Sequence, residues 1–395
     1  MQKLKIVSIY DIPNSWKTNS VVPHSMHHLC SRICSFPPSM PDYFIKKYSK
    51  EGDVVFDPWS GKGTVPFQAL LNGRIGIGND KSPEAFILTH AKTNPISFSS
   101  LEKYIVKIEK KMNKIKIPKT LNELDKKASI FYSKKTFEQI LKLKIILAQE
   151  NSNKAIVTKA IILGLLHGNT INSFSLRCSH SYAMSPNYVK KYAKEHKLRR
   201  PSKNVITCII NRGQTILKES FPKIKGITMQ NDSTKINLKS KSVDMVLTSP
   251  PYFDVQTYAW ANWLRLWFLG YNYKEIKQKL SETGSEVVYR EFMRKSIFEL
   301  FSIRYTAGSK KKRKYLIYFA ISIITDTFNK NVNIIEDIPM VDNVTKKIDL
   351  IYKEIKKNEV SPATDYLFTG VEKSNKEKTF EKLEAMNSMN TVIRK

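Results

Sequence analysis

The sequence predicts an α/β fold: a doubly wound parallel sheet interrupted by a basic, mainly helical insertion. Two short apolar runs, Asp53–Asp57 and Ile75–Asp80, are each followed by a turn and an apolar helical stretch, the pattern of parallel strands joined by crossover helices. Strand signals return at Ile224–Met229 and Val243–Thr248, so the sheet resumes after an interruption. Between the two halves, residues 101–215 carry lysine-rich helical periods. With 395 residues, 41% of them hydrophobic, the chain is long enough to bury a full α/β core and a second module.

Taken in order, residues 1–22 show little periodicity and read as an irregular arm. A helix is expected over Pro41–Ser49, with proline in its first turn. The strand ending at Asp57 leads through Pro58-Trp-Ser-Gly-Lys-Gly-Thr64 into an apolar helix over Val65–Leu71. Asn72-Gly73 turns the chain into the strand ending at Asp80, and Pro83–Lys92 is a further helix. In the insertion, Phe131–Leu147 and Ala155–Leu166 are the clearest helices. Helices are also expected at Trp260–Phe268 and Arg290–Phe301, whereas Tyr315–Ile324 suits either a helix or a buried strand. The final residues, with runs such as Lys373–Lys382, read as polar helices or a loose tail. The expected organisation is a first sheet-forming half (1–100), a basic insert (101–215), a second sheet-forming half (216–335) and a polar C-terminal tail (336–395).

Charge narrows the partners. A formal net charge of +31 favours a polyanion, nucleic acid first. An AT-rich coding sequence would also raise lysine content, but it does not explain the placement: residues 101–215 hold 24 Lys and Arg against 7 Asp and Glu. No apolar run reaches the roughly 20 residues of a membrane span, and no signal-like segment follows Met1–Lys5, so a cytoplasmic protein without a membrane partner is expected. Four scattered cysteines, Cys30, Cys34, Cys178 and Cys208, are expected to be reduced.

The run Asp57-Pro58-Trp-Ser60-Gly61-Lys-Gly63-Thr64 lies where a strand hands over to a helix, and its small residues let the backbone approach a ligand. A glycine pair alone is an ordinary tight turn. Asp80, however, ends the next strand at the spacing where nucleotide-binding sheets place an acid on ribose hydroxyls. Asp232 follows the strand Ile227–Met229, where it can accept from an adenine amino group. Three carboxylates at successive strand ends describe a site for an adenosine-bearing ligand.

The sharpest signal is Leu247-Thr-Ser249-Pro250-Pro251-Tyr252, directly after a strand and therefore at the carboxyl edge of the sheet. An exocyclic base amine is a poor nucleophile because its lone pair is delocalised into the ring. Acceptors that draw its two hydrogens out of the ring plane, while the nitrogen is held in line with an electrophile, restore that nucleophilicity. The Ser249 hydroxyl and the Pro250 carbonyl are two such acceptors, stiffened by consecutive prolines, and Tyr252 offers a ring on which an extruded base can stack. The bland alternative is a rigid Pro-Pro-Tyr loop.

These two motifs resemble those of the S-adenosylmethionine-dependent DNA amino-methyltransferases, which make N4-methylcytosine or N6-methyladenine. The segment Ser35-Phe36-Pro-Pro-Ser-Met-Pro41-Asp-Tyr-Phe-Ile45 is similar to the family's segment against the methionine end of the cofactor. The resemblance covers roughly residues 27–92 and 224–270. It implies a Rossmann-like sheet and S-adenosyl-L-methionine held by Phe36, Asp57, Pro58, Ser60, Gly61, Gly63, Thr64, Asp80 and Asp232. Catalysis would fall to Ser249, Pro250, Pro251 and Tyr252. Ser-Pro-Pro-Tyr goes more often with cytosine N4 than with adenine N6. The motif order puts a target-recognition region in the basic insert, with His167, Arg199, Arg200 and the segments Ser179–Tyr182 and Tyr188–Arg200 as candidate contacts to double-stranded DNA. Restriction–modification, with a cognate endonuclease acting separately, is what the resemblance implies.

The sequence also departs from that family. Beyond Gly270 the resemblance fades, and the glycine-led strand hairpin that closes the family's sheet cannot be located. Its absence supports a rival from another class, a nucleic-acid-binding protein with a non-catalytic methyltransferase fold. The enzymatic rival methylates a guanine amino group in RNA; it usually carries an N-terminal RNA-binding module, for which about 25 residues before the cofactor segment leave no room. His24, His27, His28, Cys30 and Cys34 match no common zinc spacing, so no metal is expected. Trp260, Trp263 and Trp267 recur at helical spacing and are expected to form a packed face.

Overall fold

The computed structural model describes residues 23–303, apart from 33–34, 36, 178–184, 240–241, 252–257, 281 and 283–284, together with the backbone of strands at 4–7, 316–321 and 366–370. Phe36, Tyr252, Cys34, Cys178 and Ser179–Tyr182 lie outside the described residues. In chain order the sheet contains β1 (Leu4–Val7), β2 (Val54–Asp57), β3 (Ile75–Asn79), β4 (Ile227–Met229), β5 (Met245–Thr248), β6 (Leu316–Ile321) and β7 (Tyr366–Gly370). Across the sheet they run β4-β3-β2-β5-β6-β7-β1. Neighbours from β4 to β6 are parallel, as the strand–helix alternation requires. The fold is mixed α/β and matches the Rossmann-like sheet expected.

Side chains alternate across the central strands. Val55, Met245 and Leu247 pack with Met40, Phe44 and Ile45 of α1 (Ser39–Tyr48) and Val65 and Ala69 of α2 (Thr64–Leu71). Phe56, Ile77 and Val246 join Leu300 and Ile303 at the end of α13 (Glu286–Ser302). Both faces are therefore covered, as parallel sheets demand.

The helix α3 (Pro83–Thr93) follows β3, and the insertion folds as α4 (Phe98–Met112), α5 (Glu123–Ser129), α6 (Lys134–Ala148), α7 (Asn153–Leu165), α8 (Pro186–Glu195) and α9 (Val205–Ile216). Ser97, Asn122, Ser133, Ser152, Ser185 and Asn204 cap these six helices in turn, each side chain accepting from a backbone amide of the first turn. Helix α7 is apolar nearly all round, with Val157, Ala160, Ile161, Ile162, Leu163 and Leu165 buried, and it lies at the centre of the layer against α3.

The insertion shares one continuous core with the sheet-covering helices. Met26, Phe67 and Leu88 belong to the same cluster as Ile140, Ile161 and Ile209. Three short helices follow the Ser249-Pro-Pro segment: α10 (Tyr258–Ala261), α11 (Trp263–Phe268) and α12 (Tyr273–Lys279). Phe137 stacks on Trp267 at 5.9 Å, Phe131 meets Trp263 edge-on at 5.7 Å, and Trp267 Nε1 donates to Asp125 at 2.7 Å. Trp263 and Trp267 thus form the packed face expected, whereas Trp260 stays half-buried.

The closing edge of the sheet departs from the sequence expectations. Leu4–Val7 forms a strand within the stretch read as an irregular arm, and Tyr366–Gly370 forms one within the stretch read as a polar tail. Strand β7 pairs antiparallel with both β6 and β1, so the edge is built from opposite ends of the chain. A search for a local hairpin could not find this long-range pairing, because no turn signal joins its strands. Of the two readings held for Tyr315–Ile324, the strand is the one observed. Among the described residues no helix is long and apolar enough to cross a membrane.

The register aligns Ile6 with Phe368. Paired cysteines at Ile6→Cys and Phe368→Cys are expected to oxidise to an intramolecular disulfide. The Ile6→Cys and Leu367→Cys pair, on opposite faces by the strand pleat, should stay free by thiol titration and peptide mass mapping.

Candidate active site

Strand β2 delivers Asp57 to the carboxyl edge, where Pro58–Gly63 turns the chain into α2. Gly61 and Gly63 both have left-handed backbones, φ 54° and 71°, and Gly63 is the N-cap of α2. A Cβ on Gly63 would stand 2.8 Å from the Thr89 Cα, and one on Gly61 would stand 2.7 Å from the Arg32 guanidinium. Glycine is thus required at 63 by the close approach of the α3 backbone, and at both positions it is favoured by a left-handed conformation that other residues rarely adopt. The Ser60 hydroxyl is fixed by Thr89 at 3.0 Å.

Asn79 ties the neighbouring strand ends together. Its buried side-chain amide donates to the Pro58 carbonyl (3.2 Å) and the Asn231 carbonyl (3.0 Å) and accepts from the Asn231 amide (3.0 Å). Its own carbonyl accepts from the Ser60 amide at 2.8 Å. The next residue, Asp80, accepts from the Gly61 amide through Oδ2 and from the Ser82 amide through Oδ1, both at 2.9 Å. Burial raises its carboxyl; Arg32 opposes that rise and Glu84 adds to it. Asp232 accepts from Lys81 at 2.5 Å and from Thr234, and these bonds hold its carboxyl below the ordinary range against the opposing effect of burial.

Strand β5 lies beside β2, with Val55 opposite Met245. At its end the buried Thr248 hydroxyl donates to Asp57 Oδ1 at 2.6 Å, and the Trp59 amide donates to the same oxygen at 3.1 Å. Burial pushes the Asp57 carboxyl up to about 7; these two bonds oppose the rise and Asp80 adds to it. Ser249 and Pro250 follow immediately, Ser249 half-buried and Pro250 buried. Helix α13 braces the loop, since the buried Tyr289 hydroxyl donates to the Pro251 carbonyl. The same helix holds the Pro58–Gly63 turn, through Trp59 Nε1 to Ser233 Oγ (3.0 Å) and Ser233 to Ser296 (2.9 Å).

Asp57, Pro58, Ser60, Gly61, Gly63, Thr64, Asp80, Asp232, Ser249, Pro250 and Pro251 therefore gather at one sheet edge. Sequence reasoning missed Arg32, Asn79, Tyr289 and any role for Thr248. Arg32 pairs with buried Glu84 at 3.2 Å, and its guanidinium stands 5.8 Å from the Tyr258 ring centroid. Burial alone would lower its pKa, but Glu84 and Asp80 more than compensate and raise it, so a permanent positive charge stands over the glycine turn. Each Asp80 oxygen accepts from one backbone amide and has a second lone pair, so the acceptors at this edge are compatible with the hydroxyls of an adenosine-bearing cofactor.

The residues expected to contact DNA do not share one environment. Arg199 and Arg200 are exposed beyond α8, and Arg200 Nε donates to the Ile130 carbonyl at 2.5 Å. His167 is only 4% exposed, held by Ser175 at 2.8 Å and set edge-on to Phe131, so it is a core residue of the insertion rather than a surface contact. Of the histidines and cysteines weighed as zinc ligands, His24 and His27 pack against Phe67, and His27 bonds Gln68 at 3.0 Å.

Comparison with known proteins finds similarity over the first quarter of the chain. Residues 3–93 match a DNA methylase family, the N6/N4 methyltransferases. The family resemblance drawn from the motifs is borne out over this cofactor-side segment, and a DNA methylase family implies S-adenosylmethionine as methyl donor. Two individual relatives follow. The orphan methyltransferase M.BamHII of Bacillus amyloliquefaciens is 35% identical over 77 residues, 20% of this chain and 28% of that protein. The type II methyltransferase M.MjaII of Methanocaldococcus jannaschii is 31% identical over 71 residues, 18% of this chain and 13% of that protein. The chain thus spans about a quarter and about an eighth of the length of these relatives. No solved structure matches.

Asp57 yields a pH prediction. A carboxyl raised to about 7 in the folded state contributes stability that is present below the unfolded pKa and lost as pH rises through 7. Relative to Asp57→Asn, the wild-type melting temperature is expected to fall steadily from pH 4 to pH 7.5 in thermal melts; a pH-independent difference would contradict the burial argument.

Proposed function

We propose that the chain is an S-adenosylmethionine-dependent DNA methyltransferase that methylates an exocyclic base amine, with N4 of cytosine as the acceptor. The observation that carries this reading is the Thr248–Asp57 hydrogen bond, which joins the Ser-Pro-Pro loop to the glycine turn on adjacent strands. The cofactor, when bound, supplies an electrophilic methyl group. On this reading Asp80 holds the ribose hydroxyls, Asp232 faces the adenine amino group, and the turn Asp57–Thr64 supports the methionine end together with Phe36. Ser249 Oγ and the Pro250 carbonyl accept the two amino hydrogens of an extruded base, and Tyr252 stacks against it. Asp57 and Tyr289 are positioning residues: one fixes the start of the loop through Thr248, the other its Pro251 carbonyl.

Serine at the head of the loop supports cytosine over adenine. The non-catalytic alternative drew on a missing sheet closure, and strands β6, β7 and β1 remove that support. Double-stranded DNA is the proposed substrate, with residues 101–215 as the target-recognition region and Arg199 and Arg200 among its contacts. A restriction–modification role with a separate endonuclease belongs to the same proposal.

Incubating the protein with labelled S-adenosylmethionine and genomic DNA, then digesting to nucleosides for mass spectrometry, should yield N4-methylcytosine that Ser249→Ala abolishes. N6-methyladenine would keep the mechanism and correct the base; cofactor binding without any DNA product would overturn the reading. Tyr289→Phe should lower kcat about fivefold, the worth of a hydrogen bond of roughly 1 kcal/mol, with little change in KM for the cofactor.

A further inference from the structure

A groove of about 490 Å³ opens between α5, the start of α8, and α10 to α12. Its floor is aromatic. Trp260 stacks on Trp263 at 6.2 Å with 19° between the planes and meets Tyr273 edge-on at 5.1 Å. Its rim is basic, formed by Lys126, Lys127 and Lys190. Glu123 also lines the groove, but it is paired with Lys127 at 2.5 Å, so the exposed Lys126 and Lys190 leave the rim with net positive charge. Arg200 adds a further cation where it reaches the Ile130 carbonyl, since Ile130 is itself part of the lining. Trp260 and Tyr258 share the single turn of α10, and the Tyr258 ring faces the guanidinium that covers the Gly61 turn.

An aromatic floor under a cationic rim is the combination that binds an unpaired nucleotide: any base has a face to stack, and the lysines meet its phosphates. The volume falls in the range of roughly 300–1,000 Å³ found for pockets that enclose small molecules. An apolar peptide would leave the lysines unmatched, whereas a polyanion matches both the rim and the strongly basic insertion that supplies it. We infer that this groove binds an unpaired nucleotide of the substrate DNA, stacked against Trp260 with its phosphates between Lys126 and Lys190. The inference rests on the DNA-methyltransferase reading and adds a second base-binding place apart from the Ser-Pro-Pro loop. Opening a duplex to reach one base leaves another unpaired, and a stacking site outside the catalytic pocket lowers the cost of that opening.

The test uses fluorescein-labelled duplexes of mixed sequence, one fully paired and one carrying a single unpaired nucleotide, titrated by anisotropy over a salt series, with S-adenosylmethionine binding followed by calorimetry. Trp260→Leu should weaken binding of the bulged duplex by roughly 5- to 100-fold while barely affecting the paired one and leaving its salt dependence unchanged. Lys126→Glu with Lys190→Glu, both on exposed positions, should reduce the slope of log K against log salt by roughly 1.4 to 1.8 on the bulged duplex and by clearly less on the paired one. Cofactor affinity should stay at the wild-type value in all variants. If the wild type binds both duplexes and the cofactor but neither variant changes DNA binding, the groove is not the site. A wild type that binds cofactor and no DNA overturns the underlying reading instead, so the two failures are distinguishable.

Discussion

Asn79 sits where three segments of the chain must meet, and its buried amide leaves them little latitude. Pro58 after β2, Asn231 after β4 and the turn at Ser60 are all hydrogen-bonded to this one residue. A buried amide left partly unsatisfied costs about 1–3 kcal/mol, so the strand ends cannot drift apart without penalty. Asp80 and Asp232 each follow directly on a stapled residue, and the Asp57 turn is held by the same amide. Thr248 then adds β5 through its bond to Asp57, which brings the Ser-Pro-Pro loop into the arrangement. The candidate site is thus a set of short excursions from one pinned edge, and short excursions on a rigid scaffold are well positioned.

The basic insertion is mechanically continuous with that edge. Its helices share a core with Phe67 and Leu88 on one side and with Trp263 and Trp267 on the other. Arg265 reinforces the junction by donating to the Leu163 carbonyl from the insertion and to the Ser31 carbonyl from the segment ahead of α1. Packed and hydrogen-bonded contacts therefore run unbroken from the insertion to α11 and to the segment ahead of α1.

Much of this was legible in the sequence because it is written over short distances. A strand running into a glycine turn and a helix is determined by a handful of adjacent residues. The Ser and Asn caps of the insertion obey the same local chemistry. The residues that escaped notice act across long separations. Arg32 meets Glu84, and Tyr289 meets Pro251; neither carries a local pattern distinguishing it from any other arginine or tyrosine. His167 misled for the converse reason. A histidine in a basic segment suggests a ligand contact, yet its burial depends on Phe131 and Ser175 folding back over it.

The sequence by itself determined the α/β class, the glycine turn after the first central strand, the acids at the strand ends and the Ser-Pro-Pro segment after β5, because backbone conformation at Gly, Pro and capping residues is decided by immediate neighbours. Only the tertiary structure decided how the sheet closes, which arginine covers the glycine turn, what braces the loop, and which of the three tryptophans stays half-buried. Those outcomes depend on which distant segments share a core, and packing between β1 and β7 or between Phe137 and Trp267 exists only once the intervening chain has folded.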